Sequence, residues 1–332
     1  HDIADTRWHL PEDREKCVLI GEISDPAHAV GVERVNPESL LNFLHYARGI
    51  KTEYELACMR LASRRAATGH HAAEAAFRDG GSEFDIHQAY CKATNLTDNE
   101  LPYGNIIALN RNGATLHYTK LDRVPPGSLR SFLIDAGAHV HGYAADITRT
   151  HAYDDAGFED LVLRVDAMQR DIVNEIEPGL DFRQLQLKTH RLIAELLVDV
   201  ELASGNTDTL ISTGVTSAFF PHGLGHLLGI QVHDVGGHLE NASGTLIDPP
   251  SGHPFLRLTR TLEENMVVTI EPGLYIIDML LRHLRGTDAE AHVNWKRVDE
   301  LRPFGGVRIE DDVRVTATGH ENFTRDAFAE IG

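Results

Sequence analysis

Four acidic residues stand inside runs that otherwise read as buried β-strands, and few folds can accommodate that. Asp135 lies in SFLIDAGA, Asp146 in GYAADITRTH, Glu271 in VVTIEPGLYII and Glu310 in FGGVRIEDDVRV. Burying an unpaired carboxylate costs on the order of several kcal/mol, so each acid needs a cation or a donor beside it. The segment His139–Tyr143 is turn-like, so a hairpin is expected to bring Asp135 and Asp146 opposite each other. Two carboxylates facing one another in apolar surroundings repel unless protonated or neutralised by metal. Taken alone, the pair reads equally well as two ordinary strand-end aspartates.

A second stretch, FFPHGLGHLLGIQVHD, adds His222, His226 and His233. Gly223 and Gly225 allow backbone or ligand to approach where a side chain would obstruct. Arg308 and Glu310 are two apart on one strand and share a face, which is compatible with a simple ion pair. Beside the other acids, Arg308 is better read as a partner that orients and charge-balances a metal site. Four carboxylates and one imidazole make a hard donor set suited to two divalent cations, Mn²⁺ first, with Zn²⁺ or Co²⁺ able to occupy it. Two such cations can generate hydroxide at neutral pH and polarise a carbonyl or phosphoryl oxygen, so hydrolysis is the expected chemistry.

The remaining chain supplies a frame for these runs. A short strand is expected at residues 17–23. Helices follow from Pro37, from Lys51-Thr52-Glu53 through Phe77, and over Ser82–Asn95, which begins on a Ser cap. Strands are expected at 103–109, 114–119, 131–138 and 142–151, then helices at 156–176 and 181–200. Further strands are expected around 222–234, 266–277 and 304–315. Helices and strands alternate in blocks rather than as βαβ units, so the fold class is α+β, a curved and largely antiparallel sheet covered by helices. The repeat of helix pair followed by strands hints at internal pseudo-two-fold symmetry. Residues 1–35 read as the remnant of an N-terminal domain and its linker, and 36–332 as the catalytic domain. The first residue is His1, which reads as the interior of a longer gene product.

Charge narrows the partners. The 332 residues carry 31 basic against 50 acidic groups, a formal net charge of −19, which argues against nucleic acid and a membrane surface. Three cysteines without close spacing (Cys17, Cys58, Cys91) suit a reducing cytoplasm rather than a disulfide framework. His70, His71, His190, His283, His292 and His320 fall on expected helices or loops and are read as solvated.

The order of D-A-G-x8-D-I-T-R-T, H-G-L-G-H, T-I-E-P-G and R-I-E-D resembles the pita-bread metallopeptidase family from about residue 37 to the end. TEYELACMRLA, LPYGNIIALN, LHYTKLDRV, HPFLRLTR and PFGGVRIEDD are similar to its prolidase branch, which includes the organophosphorus acid anhydrolases. The resemblance implies that Asp135 binds one metal, Asp146 and Glu310 bridge both, and His226 and Glu271 bind the other. It implies Glu271 as general base, His117 and His233 facing the reacting group, and Arg308 in support. His222 and Arg257 would hold the proline end of the substrate, with Tyr103, Leu116 and Val232 as pocket residues. Phe182 falls where relatives carry Tyr and is expected at the pocket without its hydroxyl. The implied activity is hydrolysis of Xaa-Pro dipeptides by a homodimer. Organophosphate hydrolysis, aminopeptidase P-like cleavage of longer peptides and a metal-free binding scaffold are the alternatives, and the intact ligand set argues against the last.

Overall fold

The computed structural model describes residues 9–22 and 31–331. Within 17–22 the only pairing is an isolated parallel bridge of Leu19 with Val35, so the expected strand is not formed there; residue 23 lies outside the described residues. Helix α1 (Glu38–Arg48) starts after Pro37, whose missing N–H is no loss at a helix start. The long α2 (Glu53–Arg78) opens on a reciprocal cap in which Thr52 Oγ1 accepts from the Glu55 N–H and Glu55 accepts from the Thr52 N–H. Ser82 and Asp85 repeat the device at α3 (Glu83–Thr94), which ends on Asn95 in the left-handed conformation, φ 52°.

Strands β1 (Ile106–Leu109), β2 (Ser131–Asp135) and β5 (Thr148–Ala152) form an antiparallel sheet in the order β1-β2-β5. The short β3 (His139–Val140) and β4 (Tyr143–Ala144) continue the β2–β5 hairpin to its turn. Two helices follow, α4 (Ala156–Val173) and α5 (Phe182–Asp199), then the short α6 (Thr207–Ser212) and α7 (Val215–Phe219). The second set of strands is β6 (Val267–Ile270), β7 (Gly273–Tyr275), β8 (Gly306–Arg308), β9 (Asp311–Thr316) and β10 (Gly319–Asn322). Here β6 and β7 run antiparallel to β9 and β8, with α8 (Asp278–Arg282) and α9 (Trp295–Leu301) inserted between β7 and β8. Helix α10 (Phe323–Ile331) closes the described chain. A bridge between Thr148 and Glu310 joins the two sets of strands, each of which follows a pair of helices. The α+β architecture and the duplicated unit are as expected.

Two further expected strands do not form. Over 114–119 the alternation is overridden by the buried carboxylate of Glu83, which accepts from Leu109 N, Asn112 Nδ2, the Tyr118 hydroxyl and Asp122 N and curls the chain around itself. Over 222–234 only Leu227 bridges a strand, pairing with Val268. Gly225 lies so close to β6 that a Cβ there would overlap the Thr269 carbonyl oxygen, and one on Gly223 would come within 2.8 Å of Leu256 Cα. His70 and His190, expected in solvent, are buried. Each has found a polar partner, His70 Nε2 at 2.9 Å from the Ala136 carbonyl and His190 Nδ1 at 3.0 Å from Thr216 Oγ1.

Candidate metal centre

The β2–β5 hairpin is formed, but its register differs from expectation. Asp135 pairs with Thr148, and Asp146 lies two residues off, so the acids are diagonal neighbours on one face rather than directly opposite. The second hairpin does oppose its acids. Ile270 pairs with Asp311 and Gly273 with Arg308, which sets Glu271 across from Glu310 between the two paired segments. His226 arrives from the glycine-rich loop, its N–H donated to Thr269 Oγ1 and its carbonyl accepting from Thr269 N. The five residues therefore meet where the two halves of the sheet join.

Distances within the cluster fit a shared cation. Donor atoms of Asp146, His226 and Glu310 lie within 4.8 Å of one another. His226 Nε2 is 3.5 Å from Asp146 Oδ2 and 3.7 Å from Glu271 Oε1. The other ring nitrogen, Nδ1, is 3.0 Å from the Leu227 carbonyl and donates to it, which turns Nε2 towards the carboxylates, whose charge favours a proton there in the metal-free protein. Lone pairs aimed at one another need a cation or proton between them. Asp135 Oδ1 is buried with no hydrogen-bond partner among the described residues, an open donor of the kind a metal fills.

The electrostatics agree. Burial pushes the Asp135 carboxyl up to about 6 despite the Arg308 guanidinium, and pushes Glu271 up to about 7 despite His226. Glu310 rises well above the carboxylate range, first through burial and then through Asp146, Glu271 and Asp135. For Asp146, burial is outweighed by the His226 hydrogen bond and the group is held low. Arg308 is the one arginine inside the cluster among the described residues. Its Nη2 donates to Asp135 Oδ2 at 2.7 Å, its Nε to Thr148 Oγ1 at 3.1 Å, and Glu310 is 4.0 Å away. Arg308 thus orients Asp135 more directly than Glu310, the partner that strand spacing suggested.

A cavity of about 770 Å³ opens over the acids, with Leu116, His117, His222, His233, Arg257 and Arg308 in its wall. Arg257 is exposed and makes no hydrogen bond or ion pair among the described residues, leaving its guanidinium available. The rings of His226 and His233 stand edge to face with centroids 4.4 Å apart. His222 Nε2 is 2.8 Å from the Tyr275 hydroxyl, and burial pushes its imidazole down to about 3, so it is neutral. Tyr103 donates its hydroxyl to Asp146 Oδ1 at 2.6 Å and so supports one of the clustered acids rather than lining the cavity. Two expected pocket residues lie elsewhere. Phe182 is fully buried in the core beneath α5, and Val232 packs on the cluster of Leu56, Met59 and Leu228. Phe182 begins α5 and so turns its ring into the helix-packed core, away from the sheet junction.

Several contributors were not legible beforehand. Tyr275 joins Arg308 to His222 through one hydroxyl, accepting from Arg308 Nη1 at 3.0 Å. Asp312 accepts the Asp146 N–H with both oxygens, and Thr148 donates to Glu310 Oε2 at 2.6 Å. Asp312 stands two residues beyond Glu310 on the same strand face, a spacing that could have flagged it. Tyr275 carries no such signal, since it alternates as any buried aromatic would.

Residues 57–317 match the profile of Metallopeptidase family M24. The chain is 53% identical to proteins named Xaa-Pro dipeptidase from Shewanella sediminis and Shewanella woodyi, over 96% of this chain and 72% of each relative. Among solved structures it superposes on a zinc-substituted Escherichia coli aminopeptidase P in complex with product, with TM-score 0.74, 26% identity and coverage of 98% of this chain and 71% of that one. Aminopeptidase PepP of Pseudomonas aeruginosa aligns with TM-score 0.70 and 28% identity, over 90% of this chain and 62% of that one. These likenesses carry the pita-bread fold and a site for two divalent metal ions. The chain belongs to metallopeptidase family M24.

Proposed function

We propose that this protein hydrolyses Xaa-Pro dipeptides with two divalent cations, Mn²⁺ foremost, held by Asp135, Asp146, His226, Glu271 and Glu310 within a catalytic domain spanning 36–332. The observation that carries the reading is the convergence of those five side chains beneath a cavity whose wall presents Arg257, which has no hydrogen-bond or ion-pair partner among the described residues. The likeness to proteins named Xaa-Pro dipeptidase supports the substrate class. When bound, two cations supply a nucleophile at neutral pH and polarise the scissile carbonyl.

The protein's own groups do the rest. A peptide bond to proline has no N–H, so recognition must come from the ends of the substrate. Arg257 pairs with the C-terminal carboxylate, and His222 packs at the proline end. Glu271, whose carboxyl burial already favours holding a proton near neutrality, takes the proton of the attacking water at Oε and passes it on. His117 and His233 stand on the cavity wall to support the developing oxyanion and the leaving nitrogen. Arg308 holds Asp135, and Tyr103 holds Asp146, in the ligating pose.

The test is Leu-Pro hydrolysis by chelated protein to which Mn²⁺ is returned, alongside metal analysis and a Leu-Pro-initiated tripeptide. Restored cleavage of the dipeptide, with the tripeptide cut much more slowly, is the expected result. Tripeptide cleavage at comparable rate would make this an aminopeptidase P-like enzyme, and no metal uptake would end the metallopeptidase reading for this chain. The homodimer implied by the resemblance belongs to the same proposal and is read by light scattering on the same samples.

A further inference from the structure

Outside the carboxylate centre, two different donor side chains, a thiol and a carboxylate, converge on one imidazole nitrogen. His87 and Cys91 stand four residues apart on α3, one turn along the same face. The left-handed Asn95 then folds the chain back, and a capped turn in which Glu100 accepts the Thr97 N–H presents Asp98 to the same spot. His87 Nε2 is 3.6 Å from Cys91 Sγ and 2.6 Å from Asp98 Oδ1, and one donor atom from each residue fits within 4.8 Å of the others.

We propose that His87, Cys91 and Asp98 form a second metal site, for one borderline-soft divalent cation of the Zn²⁺ kind, with a remaining position open to water. The spacing supports it. Bonds of about 2.3 Å to sulfur and about 2.05 Å to nitrogen at a tetrahedral centre set those two atoms about 3.5–3.6 Å apart. The Cys91–His87 separation already has that value, on a helix that fixes both residues. Asp98 needs to withdraw by about 0.7 Å to match the corresponding nitrogen–oxygen edge. Its side chain is 73% exposed, so it is free to do so.

A second observation comes from the buried residue behind the histidine. Asn105 is 5% exposed, its amide lies 3.4 Å from His87 Nδ1, and its Oδ1 has no partner among the described residues. The two ends of an amide are interchangeable by a flip. With the oxygen turned to the ring, Nδ1–H donates to Asn105 and Nε2 is left bare, the arrangement that metal-bound histidines adopt.

The donor chemistry separates this site from the carboxylate centre. A thiolate favours Zn²⁺ or Co²⁺, whereas an oxygen-rich set takes Mn²⁺ readily. Burial and Asp98 push the Cys91 thiol up to about 11, so the metal-free thiol holds its proton. Cation binding forms the metal–sulfur bond and releases that proton to solvent. Asn105 leads directly into β1, and Tyr103 just before it holds Asp146, so a cation here would clamp α3 to the segment that supports the catalytic ligands.

Co²⁺ reads the site without reference to activity. The protein is first saturated with Mn²⁺ and then titrated with Co²⁺. A sulfur-to-cobalt charge-transfer band in the near ultraviolet, saturating at one equivalent, is expected, because no thiolate is among the five ligands of the carboxylate centre. Cys91→Ser should abolish the band, and Asp98→Asn should weaken Co²⁺ binding by about tenfold or more. Asp98 is exposed, so that variant reports even if the cysteine variant fails to fold. Cys17→Ser should leave the band intact. Absence of a band in the native protein, or its persistence in Cys91→Ser, would overturn the proposal and leave His87 and Asp98 as a simple ion pair.

Discussion

At the residue scale, what distinguishes Arg257 from most arginines here is that it holds no partner among the described residues. Arg308 donates to Asp135, Thr148 and Tyr275, and Arg260 is committed to Glu263 and the Tyr46 carbonyl. Arg257 lines the cavity without a partner among the described residues. Arg257→Ala is expected to lower kcat/KM for Leu-Pro by about ten- to a hundredfold, mostly through KM, since a charge-assisted bond contributes about 1.5–3 kcal/mol. The same substitution should barely change cleavage of a C-terminally amidated analogue, and an equal loss on both substrates would remove the carboxylate clamp. Tyr103 differs, because its hydroxyl donates to Asp146 and also favours the charged form of Asp135. Tyr103→Phe should weaken Mn²⁺ binding by about tenfold, measured calorimetrically, while the fold stays intact.

The elements explain why some of this could be read in advance. The caps at Thr52 and Ser82 are local statements, three residues long, and both helices begin where those caps stand. The acids in apolar strand runs were equally local, and four of them do meet. Strand existence at 114–119 and 222–234 was another matter. Alternation there competes with Glu83, a residue some thirty positions away, and with the Thr269 backbone pressed against Gly225. Gly225→Ala is therefore expected to cost about 1–3 kcal/mol, because the added methyl meets a carbonyl oxygen that β6 cannot move. The measurable result is a Tm lower by several degrees and a loss of bound Mn²⁺, since His226 is the next residue. An unchanged Tm would mean that the loop gives way more easily than the sheet.

For the whole molecule, the junction of two half-sheets is also where charge is least balanced. Without metal, Asp135 and Glu271 titrate at about 6 and about 7, above the range of about 4 for free carboxyls. A carboxyl raised on folding contributes stability below its unfolded value and loses it as pH climbs through the folded one. The metal-free protein should therefore lose this contribution between about pH 4 and pH 7. Buried His70 and His190, both pushed down to about 3 by burial, work in the opposite direction because they must gain protons on unfolding below about pH 6.5. That contribution is shared by the metal-free and metal-loaded forms and cancels in their difference. The gain in Tm on adding Mn²⁺ is accordingly expected to grow from about pH 5 to about pH 8, with protons released on binding. A gain that is flat across that window would show the ligands to be ionised before the metal arrives.

Local order along the chain was enough to single out the four acids in apolar strand runs, the first of the two hairpins and the helix starts, because side-chain alternation, caps and glycine placement act within a few residues. It was also enough to assign Arg308 a supporting role. The choice of His226 among three histidines came from the family resemblance. Closure in three dimensions decided the rest. It set Asp135 against Thr148 rather than Asp146, gave Arg308 to Asp135 more closely than to Glu310, and drew Tyr275 and Asp312 into the network. It also buried Phe182, His70 and His190 where a pocket or solvent was expected. Register and burial depend on which distant surfaces meet, and a side chain's neighbours across a sheet junction leave no periodic trace in its own segment.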